Sequence, residues 1–306
     1  MSQARPRLCL IVNPVASGVT TRSVADALQA LRVYCDVEAR RTERRGHATE
    51  IAHDAIGDGF DALVILAGDG TANEVLNGVG PDVPVGVLPA GGTSVLPRAL
   101  GLPRTVAACA RLIGDAARSR TTRPLTLGTI NERRFAFAAG IGFDAEAVRR
   151  VDDAGRAKGR RPGDAYFGMQ VAKVYGSGHY ARPLLTVEAD GQSMRGSSVL
   201  VANCHPWSYL GPFPLRLAPF ARFDGGLDAV VPHEMRWRQL PRYARYLLVT
   251  GGHSAGHDPD LRYLHDVDEL VVRCDRPLPV QADGDDLGDH DEIRLGVVRN
   301  AARLLV

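Results

Sequence analysis

The spacing of apolar and polar residues follows one pattern before residues 121–124 and a different pattern after them. In the first part, short apolar runs alternate with segments whose apolar residues recur at helical spacing. The run Ala62–Ala67 is apolar and rich in β-branched residues, which predicts a strand buried on both faces of a parallel sheet. Predicted strands are Leu8–Val12, Val33–Ala39, Ala62–Ala67 and Val83–Leu88. Predicted helices are Val24–Leu31, Ala48–Ile56, one opening at Thr71, Val95–Leu100 and Val106–Arg118. This alternation predicts a doubly wound α/β domain over residues 1–124.

Short strands dominate the second part, which predicts an antiparallel β domain over residues 125–291. The predicted strands are Leu125–Ile130, Arg134–Ala139, Leu184–Ala189, Ser197–Asn203, Leu227–Val231, Glu269–Cys274 and Leu278–Ala282. Asp190-Gly191 is a hairpin signal, and Ala165–Tyr175 is a candidate helix. The last apolar run, residues 292–306, predicts a strand that returns to either domain, and it could complete the first one.

Composition narrows the functional classes. The 306 residues carry a net charge of only +2, so no global field attracts the protein to nucleic acid. The five cysteines are scattered and never form a C-x-x-C pair, which favours buried thiols in a reducing compartment. No apolar run approaches the roughly 18 residues of a membrane span. We therefore expect a cytoplasmic protein.

The strongest local pattern is Gly68–Gly78, which follows the central predicted strand. Two glycines flank Asp69, and Thr71 with Glu74 forms the Thr-x-x-Glu pattern of a capping box. A strand, a glycine turn and a helix N-terminus together predict a phosphate-binding site. An acidic residue in such a turn is unexpected. Asp69 therefore predicts a metal ligand, a residue that orients a hydroxyl, or a base, with a plain turn residue as the structural alternative.

Two more glycine-bearing turns, at residues 13–18 and 90–93, follow predicted strands of the same sheet. Ligands of doubly wound sheets bind at the carboxyl ends of the strands. We therefore expect all three turns to line one cleft. No G-x-x-x-x-G-K-[ST] sequence is present, so no Walker lysine would hold the phosphates.

With these motifs in view, the chain resembles the diacylglycerol kinase catalytic family, which includes bacterial lipid kinases and sphingosine kinases. The stretch GDGTANEVLNG, Gly68–Gly78, is similar to the family signature G-D-G-T-x-N-E-V-x-N-G. Five other stretches resemble its N-P-x-x-G, P-x-G-T, G-x-G-F-D-A, D-G-x-L-D and D-G-E motifs, at residues 13–18, 89–93, 140–145, 224–228 and 283–285.

The resemblance implies a nucleotide-binding α/β domain, a β-sandwich lipid-substrate domain and ATP in the cleft between them. It implies a kinase that uses ATP and Mg²⁺ to phosphorylate a hydroxyl of a diacylglycerol-like or sphingoid-like lipid. The nucleotide-binding residues it implies are Asn13, Pro14, Ser17, Gly18, Thr42, Gly68, Asp69, Gly70, Thr71, Asn73, Glu74, Gly92 and Thr93. The catalytic residues it implies are Asp69, Asp283 and Asp285, one of the last two as general base. Asp224 is the implied ligand of a structural Mg²⁺. The alternative for Asp283-Gly284 and for Asp224 is a plain turn. A capping box alone would explain the presence of Thr71 and Glu74.

Two departures from the family pattern keep other functions open. The family usually continues G-T-x-N-D-F-A-R, whereas Ser94–Arg98 follows Thr93 here, and Asp285 replaces the glutamate of D-G-E. One alternative is an NAD kinase, which shares the G-D-G turn and the two-domain plan. The other is a non-catalytic regulator that binds nucleotide or lipid. The N-E-V-x-N-G continuation and the D-G-x-L-D motif favour the lipid kinase.

The partner expected from the resemblance is a lipid substrate, with transient contact at the inner membrane surface. Six basic residues and two aspartates give Arg149–Arg161 a charge of +4, which suits anionic lipid or a solvated loop. His253 and His257 have helical metal-ligand spacing, but their glycine-rich surroundings favour a loop. Family members often form dimers, so a homodimer is a further expectation.

Overall fold

The computed structural model describes residues 4–158, 162–251, 258 and 260–306. The chain divides into two compact units, which we call unit 1 (residues 1–126 with 299–306) and unit 2 (residues 127–298). The division lies two residues after the predicted one at 124. Residues 299–306, and not the whole predicted run 292–306, belong to unit 1. His253 and His257 lie outside the described residues, as do Arg160 and Arg161.

Unit 1 alternates strands and helices as its apolar pattern predicts. Its strands are β1 (Arg7–Val12), β2 (Asp36–Arg41), β3 (Ala62–Ala67) and β4 (Pro84–Pro89). Its helices are α1 (Thr21–Leu31), α2 (His47–Gly57), α3 (Asp69–Gly78), α4 (Val95–Ala99) and α5 (Val106–Ser119). A further strand, β5 (Arg123–Ile130), leads from unit 1 into unit 2.

The sheet of unit 1 is parallel, in the order β4-β3-β1-β2. Every residue of β3 is buried, as expected for a central strand covered on both faces. The end of the last strand, β16 (Asp285–Leu304), pairs in parallel with β4 through Arg303 and Leu304. Leu305 belongs to the unit 1 core, which also contains Leu8, Leu66 and Ile113.

The second strand lies further along the sequence than predicted. Val33–Ala39 was expected, but β2 covers Asp36–Arg41, because residues 32–35 form the turn after α1. The amide of Cys35 donates to the Leu31 carbonyl in this turn. Two of the side chains that suggested a strand anchor this turn instead: Cys35 is buried, and Tyr34 packs against the core.

Unit 2 is rich in antiparallel strands and contains three α-helices among its described residues. The strands are β6 (Arg133–Phe135), β7 (Ala138–Ile141), β8 (Leu185–Ala189), β9 (Gln192–Gly196), β10 (Val199–Ala202), β11 (Ser208–Leu210), β12 (Phe213–Leu215), β13 (Leu227–Pro232), β14 (Leu261–Val267), β15 (Glu269–Ala282) and most of β16. The helices are α6 (Phe143–Lys158), α7 (Asp164–Gly176) and α8 (Leu240–Arg245). This arrangement confirms the predicted class, an α/β region followed by an antiparallel β-rich region.

The long strand β15 organises unit 2. Its first half pairs with β8 and its second half with β7, while β16 accompanies both halves. Strands β14, β13, β10, β7 and β15 lie side by side in that order. The apolar residues of these strands, among them Val201, Leu227 and Val280, share one core with Phe135 of β6.

Two predictions in unit 2 were wrong in detail. The Asp190-Gly191 hairpin exists, but its second strand is the unpredicted β9, and the predicted partner region forms β10, which pairs with β7 and β13. Residues 149–158, interpreted as part of a basic loop, belong to α6. There Arg149 is paired with Asp286 and Asp289, and Arg150 with Glu146.

Among the described residues, no helix is both long enough and apolar enough to cross a bilayer.

Candidate active site

The three glycine-bearing turns of unit 1 meet at the carboxyl ends of β1, β3 and β4. The side chain of Asn13 donates to the Thr71 hydroxyl at 2.9 Å, which joins the first turn to the second. The amide of Gly18 donates to the Ala90 carbonyl at 3.0 Å, which joins the first turn to the third. The predicted convergence of the turns is therefore present.

Glycine is required where these turns touch. A Cβ on Gly18 would lie 2.7 Å from the Ala90 carbonyl oxygen, and one on Gly91 would lie 2.8 Å from the Gly68 Cα. In both cases backbone would have to move. Gly70 differs, since a Cβ there would have no neighbour within 4 Å. Open space therefore lies beside the first turn of α3.

Asp69 caps a helix. Its carboxylate accepts from the amides of Val95 and Leu96, at 2.9 and 3.1 Å, and so satisfies the first turn of α4. Ser94, which directly precedes that helix, makes no side-chain cap there: its backbone is left-handed at φ 49°, and its hydroxyl bonds to Gly91. The acidic residue in the glycine turn thus has a structural task.

The predicted capping box of Thr71 and Glu74 was wrong. Helix α3 begins two residues earlier, at Asp69, and its N-cap Gly68 has no side-chain hydrogen bond. The Glu74 carboxylate instead accepts from the amides of Gly46 and Ala48, at 2.9 and 3.3 Å. Glu74 therefore caps α2, whose own N-cap residue is a glycine.

The other predicted nucleotide residues of unit 1 lie on or beside the three turns. Pro14, Ser17 and Gly92 are exposed. Asn73 is 1% exposed and accepts from the Asn77 side chain at 3.0 Å. The amide of Thr42 donates to the Val12 carbonyl, so it lies beside the end of β1. The Thr93 carbonyl accepts from Arg98 at 3.4 Å.

In unit 2, Asp283 and Gly284 form the two-residue turn between β15 and β16, with φ of 49° and 81°. Positive φ at both positions is the geometry of a tight hairpin turn. The buried Asp283 carboxylate accepts from the amides of residues 136, 137 and 138, at 2.6, 3.0 and 3.1 Å. These bonds favour the structural interpretation of Asp283 over its role as general base.

Asp285 and Asp224 are each paired with an arginine. Asp285 contacts Arg133 at 2.8 Å, and its side chain is 18% exposed. Asp224 contacts Arg222 at 3.2 Å on the surface, where its side chain is 61% exposed. Across the part of the chain that the structure describes, no group of three or more His, Cys, Asp or Glu is placed to hold a metal ion.

A buried carboxylate that sequence reasoning did not single out supports the 283–285 turn. Asp144 accepts from the side-chain Nε2 of Gln281 at 2.9 Å, and the side-chain Oε1 of Gln281 accepts from the backbone amide of Gly284 at 3.0 Å. Burial raises the pKa of Asp144 to about 6, although the bond from Gln281 opposes the shift. A Cβ on Gly140 would overlap this carboxylate. Asp144 and Gly140 both belong to the G-x-G-F-D-A stretch, which was the available signal.

The residues of unit 1 fit the phosphate groups of a nucleotide. The N-cap residue of α3 is Gly68, which has no side chain to cap the helix, and open space lies beside Gly70. Such an end attracts anions through its amides and its dipole. Mg²⁺ is commonly bound by one or two carboxylates together with substrate phosphates, so a set of only protein ligands is not required.

Comparisons with known proteins agree with this arrangement. Residues 7–146 match the family model described as the diacylglycerol kinase catalytic domain. A diacylglycerol kinase of Bacillus subtilis is 33% identical over 141 residues, which cover 44% of this chain and 46% of that protein. One from Staphylococcus epidermidis is 36% identical over 143 residues, covering 45% and 44%. The chain thus spans about half the length of these curated relatives.

Solved structures extend the likeness in fold to the whole chain. A diacylglycerol kinase structure from Bacillus anthracis has a TM-score of 0.74 and 18% identity, with 99% of this chain and 98% of that chain covered. An NAD kinase from Archaeoglobus fulgidus in complex with ATP has a TM-score of 0.53 and 12% identity, with coverage of 98% and 93%. At these identities the likeness establishes the fold alone.

Proposed function

We propose, since residues 7–146 belong to the diacylglycerol kinase catalytic-domain family, that this protein is an ATP-dependent lipid kinase. It would transfer the γ-phosphate to a hydroxyl of a diacylglycerol-like or sphingoid-like lipid. The observation that carries the proposal is the convergence of three glycine turns on the N-terminus of α3, whose N-cap residue is a glycine with open space beside Gly70.

Unit 1 would hold the nucleotide through its backbone. Phosphoryl transfer mainly requires that phosphates are positioned and their charge is neutralised. Amides of the α3 N-terminus would supply donors, and Gly70 would let a phosphate approach the backbone. Asp69 would keep α4 and the 90–93 turn in place through its bonds to Val95 and Leu96. Mg²⁺, bound with the phosphates, would supply the remaining neutralisation.

Unit 2 would supply the lipid site. A lipid acceptor implies transient contact with a membrane surface, and salt-sensitive binding to anionic vesicles would support that contact. Arg149 and Arg150 are weak candidates for it, because both are paired with acidic neighbours. A homodimer remains part of the proposal, to be tested by the mass of the protein in solution.

The NAD kinase alternative shares the fold, as the Archaeoglobus structure indicates. The two kinases differ in the acceptor, so one assay separates them. Purified protein is incubated with Mg²⁺ and ATP labelled at the γ-phosphate, with either lipid in mixed micelles or NAD. Label in a lipid product is the expected result. Label in NAD would overturn the lipid assignment. ATP binding without transfer to either acceptor would favour a non-catalytic regulator.

A further inference from the structure

Two segments of unit 2 expose large apolar side chains to solvent. The first is the hairpin of β11 and β12, where Leu210 is exposed and Phe213 is 65% exposed. Leu210 pairs directly with Phe213, so both side chains lie on one face of the hairpin. The second segment follows α8, and there Leu248 is exposed and Val249 is 67% exposed. We call these four residues the apolar patch.

The two segments pack against each other. The amide of Arg216, which directly follows β12, donates to the Leu247 carbonyl at 2.7 Å. A Cβ on Gly251 would lie 2.8 Å from the Arg216 carbonyl oxygen, so the end of the second segment also approaches this residue. The Tyr246 hydroxyl donates to the Leu217 carbonyl at 2.8 Å, and both residues belong to one buried cluster. The two halves of the apolar patch are therefore held side by side.

The charged residues of both segments are arginines. The stretches Ser208–Arg216 and Trp237–Thr250 contain four arginines and no acidic residue. Arg216 and Arg245 are exposed, and neither forms an ion pair with another of the described residues. The other two arginines contact acidic neighbours from elsewhere in unit 2. Cations beside exposed apolar side chains are typical of surfaces that bind anionic lipid.

The size and charge of the patch fit a lipid surface better than a second copy of the chain. A stable protein–protein interface usually involves roughly 20–30 residues on each side, whereas the patch has four. In a two-fold symmetric dimer the same arginines would also face each other, and like charges oppose such contact. Trp237, at the start of the second stretch, is exposed. Its apolar ring with one N–H donor suits the boundary between lipid and water.

We propose that the apolar patch, together with Arg216 and Arg245, docks unit 2 onto the surface of an anionic lipid bilayer. The choice of a lipid surface rests on the proposed kinase function, because a lipid acceptor lies in such a surface. Phe213 and Val249 leave water by entering the boundary between headgroups and acyl chains. The two arginines attract anionic headgroups, so docking weakens as the salt concentration rises.

The test measures co-sedimentation with vesicles in the absence of ATP, so that docking is separated from phosphate transfer. Vesicles of phosphatidylcholine alone are compared with an equal mixture of phosphatidylcholine and phosphatidylglycerol, which wild type should prefer. The double variant Phe213→Ser, Val249→Ser should bind the mixed vesicles about tenfold less or weaker still, because apolar area no longer enters the lipid. The double variant Arg216→Gln, Arg245→Gln should lose roughly tenfold or more at low salt and much less at high salt.

The matched controls are substitutions on unit 1. Val33→Ser removes a valine that is 66% exposed, close to the exposure of Val249, and Arg111→Gln removes an exposed arginine of α5. Both controls should bind vesicles like wild type. An equal loss of binding in the controls would overturn the assignment to this surface.

Further results would overturn the docking surface and are distinguishable from failure of the kinase function. Unchanged vesicle binding in both double variants would do so. If the serine double variant changes from dimer to monomer in light scattering and keeps its vesicle binding, the patch is an interface between two copies. If wild type binds no vesicles but labels a lipid in micelles, docking fails and the kinase function stands. Wild type that binds vesicles through the patch but labels no lipid would retain the docking surface and overturn the kinase function.

Discussion

Single carboxylates decide much of the local structure around the three turns. Asp69, Glu74 and Asp283 all accept from backbone amides that are distant in sequence. In each case the carboxylate joins a turn or a helix end to a neighbouring element. The same residues belong to the motifs that carry the resemblance to the diacylglycerol kinase catalytic family. Tests of their roles must therefore separate the loss of an amide contact from the loss of a charge.

Asp69 allows that separation. Asp69→Ala removes the cap of α4 and should lower the free energy of unfolding by about 1–2 kcal/mol, whereas Asp69→Asn should recover most of it because asparagine also caps helices. If the charge acts in phosphoryl transfer, both variants should lose lipid phosphorylation. Urea unfolding and the labelled-ATP assay measure the two effects.

Thr105→Ala is the matched control for Asp69. Thr105 caps α5, where its hydroxyl accepts from the Ala108 amide, and it lies outside the three turns. This variant should lose stability and keep turnover. Full activity in Asp69→Asn would show that the role of Asp69 is structural only.

The second residue-scale prediction concerns Asp144, whose folded-state pKa is raised by burial to about 6. Because the protonated form is favoured in the folded state, its contribution is greatest at low pH and is lost as pH rises through 6. The Asp144→Asn variant has no carboxyl group at this position, so it does not lose stability in this way. The stability of the variant relative to wild type should therefore increase by about 1–2 kcal/mol between pH 5 and pH 8.

Urea unfolding at the two pH values measures the change. Asp190→Asn is the control, since Asp190 occupies an exposed turn where asparagine is also tolerated. Its effect should be the same at both pH values. A pH-independent effect of Asp144→Asn would contradict the raised pKa.

At the scale of elements, prediction succeeded where burial is uniform along a segment. Strand Ala62–Ala67 was predicted with its observed ends, because a strand covered on both faces is apolar at every position. Helix α6 was missed because charged residues dominate residues 149–158, although the buried Phe143, Ala147 and Val151 recur every four residues. The partners of Glu74 and Asp69 could not be predicted, since sequence spacing does not reveal which neighbouring helix end a carboxylate reaches.

The first turn of α3 gives an element-scale prediction. A Cβ at Gly70 would enter open space and not the protein, so Gly70→Ala should preserve stability. If ATP phosphates occupy that space, the affinity of the Gly70→Ala variant for ATP should fall at least tenfold. Gly57→Ala is the control, because a Cβ at Gly57, in helix α2, would also have no neighbour within 4 Å. It should change neither stability nor ATP affinity. Calorimetric titration with ATP and urea unfolding provide the two measurements. Unchanged ATP affinity in Gly70→Ala would place the phosphates elsewhere.

The N-terminus of α2 gives a second prediction at the scale of elements. Glu74→Ala removes the carboxylate that accepts from Gly46 and Ala48, and should cost about 1–2 kcal/mol, as other cap losses do. Hydrogen exchange should accelerate at those two amides first. Exchange that accelerates in α3 and not in α2 would restore the capping box that the sequence suggested.

At the scale of the whole molecule, the chain ends in a segment that belongs to the unit it began with. Leu305 is 1% exposed in the core of unit 1, although the sequence pattern left its domain undecided. Leu305→Ala should lower the free energy of unfolding by about 2–4 kcal/mol, since it leaves a cavity. Leu248→Ala is the control, because Leu248 is 47% exposed. Urea unfolding compares them, and an equal small effect of both would contradict the placement of Leu305.

The late pairing of β16 with β4 also affects how the protein is made. Strand β4 and its partner are separated by all of unit 2, residues 127–298. At roughly 5–20 residues per second, a ribosome needs on the order of 10–35 seconds to synthesise that interval. During this time one edge of the nascent sheet lacks its final strand and is open to pairing with other chains. For that defined period, chaperones or other chains could bind the open edge of the nascent chain before β16 pairs with β4.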